Sequence, residues 1–225
     1  MPLNTTFGNL ATKTNLSDFT IAYTRNVWSN QIYSLNVSTG TKIPLTAPNL
    51  KSEDGKPLPM YYQPSLGTYD FIVGASFSSS KWMFATGYQM PLNKNKNEFV
   101  WSPWNKSQDS LVANMYPRAN KLKRGIDIMF RIERNFRYSK WNFYLGLLPI
   151  IRLTKDEFLN PKTQKYEKID GTQGLALTGL AGGGYKFSRH SSIKILFGRR
   201  LVKRKANSDG LSRLAVTSLT YEYNF

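Results

Sequence analysis

The chain has no cysteine, a single histidine and no long apolar run, and each absence narrows what it can be. Without cysteine, disulfide bonds and thiolate metal sites are excluded. Without about 18 consecutive apolar residues, no segment can cross a bilayer as an α-helix. Acidic residues are also scarce, because 14 Asp and Glu face 31 Lys and Arg and leave a net charge of +17.

The sequence gives little support for catalysis. The one histidine, His190, falls in a predicted turn beside Arg189, and the sequence places no positioned nucleophile or carboxylate within its reach. We interpret it as a solvated turn residue. The glycine run 182–184 is not a phosphate loop, because no Lys followed by Ser or Thr stands in the required register. We therefore expect no enzymatic activity, no cofactor and no metal site.

What the sequence does contain is a repeated alternation of apolar and polar residues. Within residues 125–136, Ile126, Ile128 and Phe130 share one face, which is the period of a β-strand rather than of a helix. Pro149 interrupts a later segment, where we expect a bulge or a strand edge. The pattern predicts nine strands, at residues 19–28, 31–39, 68–77, 82–91, 123–136, 140–154, 173–187, 192–202 and 212–225.

The connections between these strands alternate in length. Short turns at one end and long loops at the other are typical of transmembrane β-barrels. We predict an all-β fold, an antiparallel up-and-down transmembrane β-barrel with about eight to ten visible strands, either complete or part of a larger barrel. Residues 1–18 are expected to be an irregular segment or a remnant strand, and residues 19–225 a single barrel domain. The short turns fall at 29–31, 78–81, 137–139 and 188–191, and the long loops at 40–67, 91–122, 155–172 and 203–211.

Aromatic residues concentrate beside the short turns. Barrels place aromatic girdles at the membrane interface, where amphipathic rings prefer to lie. The predicted girdle consists of Phe77, Trp82, Phe136, Tyr138, Trp141, Tyr185 and Phe187. The C-terminal segment resembles the signal that the barrel-insertion machinery of the outer membrane reads, with one face formed by Leu219, Tyr221, Tyr223 and Phe225.

Two stretches carry a resemblance to a known family. Residues 35–45 (LNVSTGTKIPL) and 63–74 (QPSLGTYDFIVG) resemble a strand stop and the following strand start of the meta-pathway phenol-degradation family of outer-membrane proteins. Residues 87–99, 122–129 and 207–213 resemble uncharacterised barrels from Bacteroidetes-like bacteria. The resemblance implies a transporter-type barrel and brings no catalytic residues. The chain departs from the pattern at Ser65, where glycine is usual, and lacks the N-terminal strands of the family.

The polar faces of the predicted strands carry charged residues. They either form a basic, partly ion-paired lumen that favours anionic or polar solutes, or pair with one another and fill a narrow barrel. The candidates are Asp127, Arg131, Glu133, Arg152, Lys194 and Arg200.

A basic run stands at the loop end of one strand. It contacts lipopolysaccharide phosphates or is a solvated loop, and its candidates are Arg199, Lys203, Arg204 and Lys205. A nucleic-acid partner is disfavoured, because stacking aromatics would have to share a face with the basic residues.

Together these features predict a bacterial outer-membrane channel or transporter for a small solute, with an anionic or an aromatic solute as the candidates. Its other partners would be outer-membrane lipid, lipopolysaccharide and the insertion machinery. One alternative is a non-transporting structural or assembly barrel, and another is a soluble ligand-binding β-barrel. Residues 1–6 have neither the basic start nor the apolar core of a signal peptide. Because single-chain bacterial barrels have even strand numbers, we expect an N-terminally truncated chain.

Overall fold

The computed structural model describes residue 10 and residues 16–188, 190–210 and 214–223. Among these residues, nine antiparallel strands form one sheet that curls into a half-barrel. Two short strands, β7 (Glu157–Leu159) and β8 (Tyr166–Lys168), form a separate hairpin. The strands of the sheet are β1 (Phe19–Ser29), β2 (Tyr33–Ile43), β3 (Asp70–Ser79), β4 (Trp82–Pro91), β5 (Asp127–Tyr138), β6 (Trp141–Arg152), β9 (Gly174–Lys186), β10 (Ser191–Val202) and β11 (Ala215–Tyr223).

The nine predicted strands are confirmed, with bounds that differ by a few residues. The hairpin β7–β8 was not predicted and lies inside a predicted long loop. The bulge or strand edge expected at Pro149 is wrong, because β6 pairs with β5 on one side and with β9 on the other without a register shift. The pairing of β5 with β6 lapses between Met129–Ile150 and Ile132–Leu147, yet the register is the same on both sides of the gap. Pro149 still pairs with Leu177 on the other side, so the proline leaves a gap in one ladder without shifting the strand.

The two faces of the sheet differ in chemistry because successive side chains point to opposite sides. The convex face is apolar and solvent-accessible, as Phe143, Leu145 and Leu147 on β6 show with exposures of 45%, 59% and 45%. The concave face of β1–β4 carries small polar groups, such as Thr24 and Ser38, whose hydroxyls lie 2.8 Å apart. An exposed apolar surface of this extent marks a face that normally contacts something other than water.

Aromatic side chains form a band on the convex face at the short-turn end. Tyr33 stacks on Phe77 with ring centroids 5.3 Å apart. Trp141 lies 4.7 Å from Tyr185, which in turn lies 5.2 Å from Phe187. The residues of the predicted girdle are therefore brought together, while their membrane role stays a prediction. Leu219, Tyr221 and Tyr223 lie exposed on the same face, and Phe225 lies outside the described residues.

The long loops pack at the opposite end into a cap, which we define as residues 44–69, 92–126, 153–173 and 203–210. The cap contains a 3-10 helix (Met60–Tyr62) and the short helix α1 (Ser110–Asn114). Buried amides hold its loops together, since Asn97 donates to the carbonyl oxygens of Pro48 and Leu58 at 2.8 and 3.1 Å. The cap also holds a hydrophobic core, formed by Leu58, Met60, Leu66, Phe99, Trp104, Ala113, Ala119 and Leu122.

Within the described residues the sheet has two edge strands, β1 and β11. Because nine strands alternate in direction, both edges run from the cap towards the short turns. Pairing β1 directly with β11 would therefore give a parallel seam. A closed, fully antiparallel barrel containing this sheet needs an odd number of further strands, and exposed edges of this kind are templates for such pairing.

Candidate functional site

A groove of about 490 Å³ lies on the concave face of the half-barrel, directly below the cap. Its floor comes from β5, β6, β9, β10 and β11, and its upper wall from cap residues. Among the described residues that line the groove, one side chain is acidic, that of Asp127. Seven lining side chains are basic, namely Lys42, Arg124, Arg131, Arg152, Arg200, Lys203 and Arg204.

Strand register sets the first pair of this site. Asp127 at the start of β5 stands opposite Arg152 at the end of β6, so both side chains point to the concave face at the cap end. The Arg152 guanidinium donates from Nε to Asp127 Oδ1 at 2.9 Å and from Nη2 to Asp127 Oδ2 at 2.8 Å. This bidentate geometry is the strong form of an arginine–carboxylate pair.

Two cap loops add carboxylates to the same guanidinium. Arg152 Nη1 lies 2.8 Å from Asp156 Oδ2, and Nη2 lies 2.8 Å from Asp209 Oδ2. The Ser208 hydroxyl donates to the Asp156 carboxylate, and the backbone N–H of Asp156 donates to the Thr172 hydroxyl at 2.9 Å. The Arg152 side chain is only 1% exposed. One arginine therefore fastens two separate loops of the cap to the sheet.

Two further arginines extend the network, which we call the ion cluster: Arg124, Arg152, Arg204, Asp70, Asp127, Asp156 and Asp209. Arg124 Nη1 contacts Asp70 Oδ2 at 2.8 Å and the Thr68 hydroxyl at 3.1 Å. Arg204 Nη1 donates to Asp127 Oδ1 at 3.2 Å. Arginine suits such buried pairs because its planar group stays charged and offers five donors.

The two loop carboxylates of the ion cluster differ in proton affinity. Burial raises the pKa of Asp209, but Arg152 and Arg124 outweigh it, so the pKa lies below its usual value. Burial also raises the pKa of Asp156, and the neighbouring charge of Asp209 adds to this, so the pKa ends above its usual value despite Arg152. The two groups therefore contribute to acid stability with opposite signs.

Acid is expected to act on the cluster in opposite ways in two variants. Because its pKa is lowered, the ionised Asp209 carboxylate stabilises the fold above about pH 4, and this stabilisation is lost as the pH falls through the pKa of the folded state. Because its pKa is raised, Asp156 takes up a proton in the folded protein before it does so in the unfolded chain. Its contribution to stability therefore increases as the pH falls towards about 4. Asp209→Asn should therefore flatten the loss of unfolding free energy between neutral and acid pH, and Asp156→Asn should steepen it. Denaturant unfolding at both pH values measures this, and equal slopes in the two variants would contradict it.

The predicted interior residues all lie on the concave face. Asp127 and Arg152 belong to the ion cluster, and Arg200 lines the groove. Arg131 pairs with Glu133 at 2.5 Å. Lys194 pairs with Glu222 at 2.6 Å, near the short turns. A passage role for these side chains stays a prediction.

The basic run predicted for lipid phosphate is divided by the fold. Arg199 points to the convex face, Lys205 is exposed in the cap, and Lys203 lines the groove. Arg204 is only 8% exposed and bonds to Asp127. Arg204 is therefore buried in the ion cluster and is not part of the exposed basic surface that was predicted to contact lipid phosphates.

Sequence reasoning missed Arg124, Asp156 and Asp209, which come from loops, and Asp70, which begins β3. One signal in the sequence pointed to two of them. Residues 122–129 and 207–213, which resemble segments of other barrels, contain Arg124 and Asp209. His190 is exposed in the turn after β9. Across the described residues, no group of three or more His, Cys, Asp or Glu is placed to hold a metal ion.

Comparison with known proteins gives no identification. No protein-family model matches the chain, and no curated protein matches it. In the part of the chain that the structure describes, none of the helices has the length and apolar character needed to span a membrane. The resemblance to the phenol-degradation family therefore stays a prediction, and the function has to be inferred from the molecule.

Proposed function

We propose that the chain forms the wall of an outer-membrane β-barrel that passes a small anionic solute along its concave face. The convex face supports the membrane part of this proposal. Apolar side chains such as Phe130, Ile132 and Leu145 stay exposed along the strands, and aromatic rings collect at one end. That combination is what a lipid-facing surface with an interfacial girdle requires.

The charge of the groove is the observation that carries the choice of solute. Among the residues that the structure describes, seven basic side chains and one carboxylate, that of Asp127, line it. Four further carboxylates, on Asp70, Glu133, Asp156 and Asp209, lie behind that surface and pair with some of the cations. Positive charge remains in excess, and rings or walls of Arg and Lys favour anions in pores.

The test is the ratio of anion to cation permeability in planar bilayers. Arg200→Glu changes the groove by two charges, which at about 10 Å in water corresponds to about 0.8 kcal/mol for each ion, with opposite signs. The two changes add to about 1.6 kcal/mol, so the ratio should fall about fifteenfold. Arg199→Glu is the matched control, because the neighbouring residue points to the convex face. A conducting protein in which both variants keep the same ratio would place the groove off the path.

A filled, non-transporting barrel is the second candidate, and the cap supports it. The ion cluster and the hydrophobic core of the cap cover the groove end of the sheet. A folded, membrane-inserted protein that passes no current would favour this structural or assembly role. Folding in water without detergent would instead favour the soluble ligand-binding barrel.

A further inference from the structure

We infer that the concave groove binds an amphipathic organic anion, with an apolar body and one carboxylate or sulfonate group. The inference deepens the proposed function, on which it rests in treating the concave face as the inside of the barrel. It depends on two parts of the groove, an apolar floor and a basic rim, that lie side by side.

The floor of the groove is apolar, although it lies on the face that is polar elsewhere in the sheet. Met129 stands opposite Ile150 on the neighbouring strand. Leu180 stands opposite Gly198, which stands opposite Val216. Leu148 and Leu196 complete the lining of this surface. The interior of transmembrane barrels is typically polar, so a path for hydrated inorganic ions alone gives no reason for this floor.

The rim of the groove offers positive charge next to that floor. Arg200 follows on the same face of β10 as Leu196 and Gly198, and Lys203 comes directly after the strand. Among the residues that the structure describes, Lys203 makes no ion pair within 4.0 Å. By contrast, Arg152 and Arg204 are occupied by carboxylates. Lys203 is therefore a cation that can receive the head group of a ligand.

The size of the groove limits the ligand. Its volume of about 490 Å³ lies within the range of about 300–1,000 Å³ that is usual for small-molecule sites. The floor offers few hydrogen-bonding groups, with Thr178 among them, so a sugar would lose its contacts with water without replacement. A compact apolar body with one anionic end fits both parts of the site.

The experiment uses the full chain, folded in a neutral detergent, and isothermal titration calorimetry with octanoate as the probe. Octanamide replaces the charged head with a neutral one, and acetate keeps the head without the body. We expect one octanoate per chain and at least about tenfold weaker binding of both comparators. Equal affinity for octanoate and octanamide, or no octanoate binding by folded protein, would overturn the inference.

Two variant pairs locate the site. Lys203→Gln should weaken octanoate binding about tenfold, because a charged hydrogen bond is lost, whereas Lys205→Gln in the cap should not. Ile150→Thr should weaken it about fourfold through lost apolar contact, whereas Ile151→Thr on the convex face should not. Equal losses within either pair would place the bound octanoate outside the groove and overturn the assignment.

The outcome is separable from that of the proposed function. Octanoate binding without current in bilayers would contradict passage and leave the binding site standing. Anion-selective current without octanoate binding would leave passage standing and reject this ligand class.

Discussion

Replacing Arg152 with methionine is expected to lower the free energy of unfolding by about 3–5 kcal/mol. The guanidinium is 1% exposed and contacts Asp127, Asp156 and Asp209, each at 2.8 Å. Removing one partner of a buried ionic network leaves the others as uncompensated charges in a poorly solvated site. Two cap loops lose this one attachment to the sheet at the same time, although Arg204 still bonds to Asp127. Denaturant unfolding and the rate of proteolysis within residues 153–173 and 203–210 measure the effect.

Arg131→Met is the matched control for this result. It removes an arginine from the same concave face, but its guanidinium is 36% exposed, and among the described residues its carboxylate partner is Glu133, whose side chain is 7% exposed. Loss of one hydrogen-bonded partner of a buried group costs about 1–3 kcal/mol, which is less than the loss expected for a guanidinium that holds three carboxylates. If Arg152→Met does not fold, Arg152→Lys keeps one charge without the planar fork and should give an intermediate loss. A loss of the same size at both arginines would contradict the fastening role of Arg152.

Gly182→Ala is expected to destabilise the sheet by about 2–3 kcal/mol. On the concave face the Tyr144 ring lies directly over Gly182, and its hydroxyl donates to the Ile195 carbonyl oxygen at 3.2 Å. A Cβ at Gly182 would collide with that ring and would lie 2.5 Å from the same carbonyl oxygen. Because one obstacle is backbone, a change of rotamer at Tyr144 cannot relieve the contact. Thermal unfolding followed by circular dichroism measures the loss.

The neighbouring glycine provides the comparison. At Gly183 a Cβ would point to the convex face and lie 3.3 Å from the Phe143 ring, a contact that a small shift of the ring accommodates. Gly183→Ala should change stability by no more than about 0.5 kcal/mol. If the two alanines proved equally tolerated, the packing of Tyr144 on Gly182 would not be a constraint on the sheet.

The sheet could be predicted because its information is local. Alternation identifies a strand from its own residues, so residues 125–136 identified both β5 and its apolar face. The cap could not be predicted, since its order comes from contacts between distant segments. Gln63, for example, bonds to both backbone groups of Leu50 and to the carbonyl oxygen of Leu58. The alternation of apolar and polar residues along the chain does not predict contacts between segments that are far apart in sequence.

The site was predictable in part, where the alternation placed a charged residue on the polar face of a strand, although Asp70 at the first position of β3 was missed. Asp127 and Arg152 were identified because they fall on the polar faces of alternating segments. Their partners Asp156 and Asp209 come from loops, and only the folded chain brings them within 2.8 Å of the same guanidinium. The error at Pro149 has a similar origin. Proline removes a donor from one ladder, but the intact pairing with β9 on the other side holds the register.

The five tryptophans lie in two groups, one in the cap and one at the short-turn end of the sheet. Trp104 is buried in the cap, with its indole N–H donating to the Pro57 carbonyl oxygen at 3.0 Å, and Trp101 lies in the same loop. Trp28, Trp82 and Trp141 lie exposed at the short-turn end. Intrinsic fluorescence therefore carries one signal from each end, and replacing either group with phenylalanine isolates the other. Detachment of the cap and unravelling of the sheet are thereby distinguishable events without any added label.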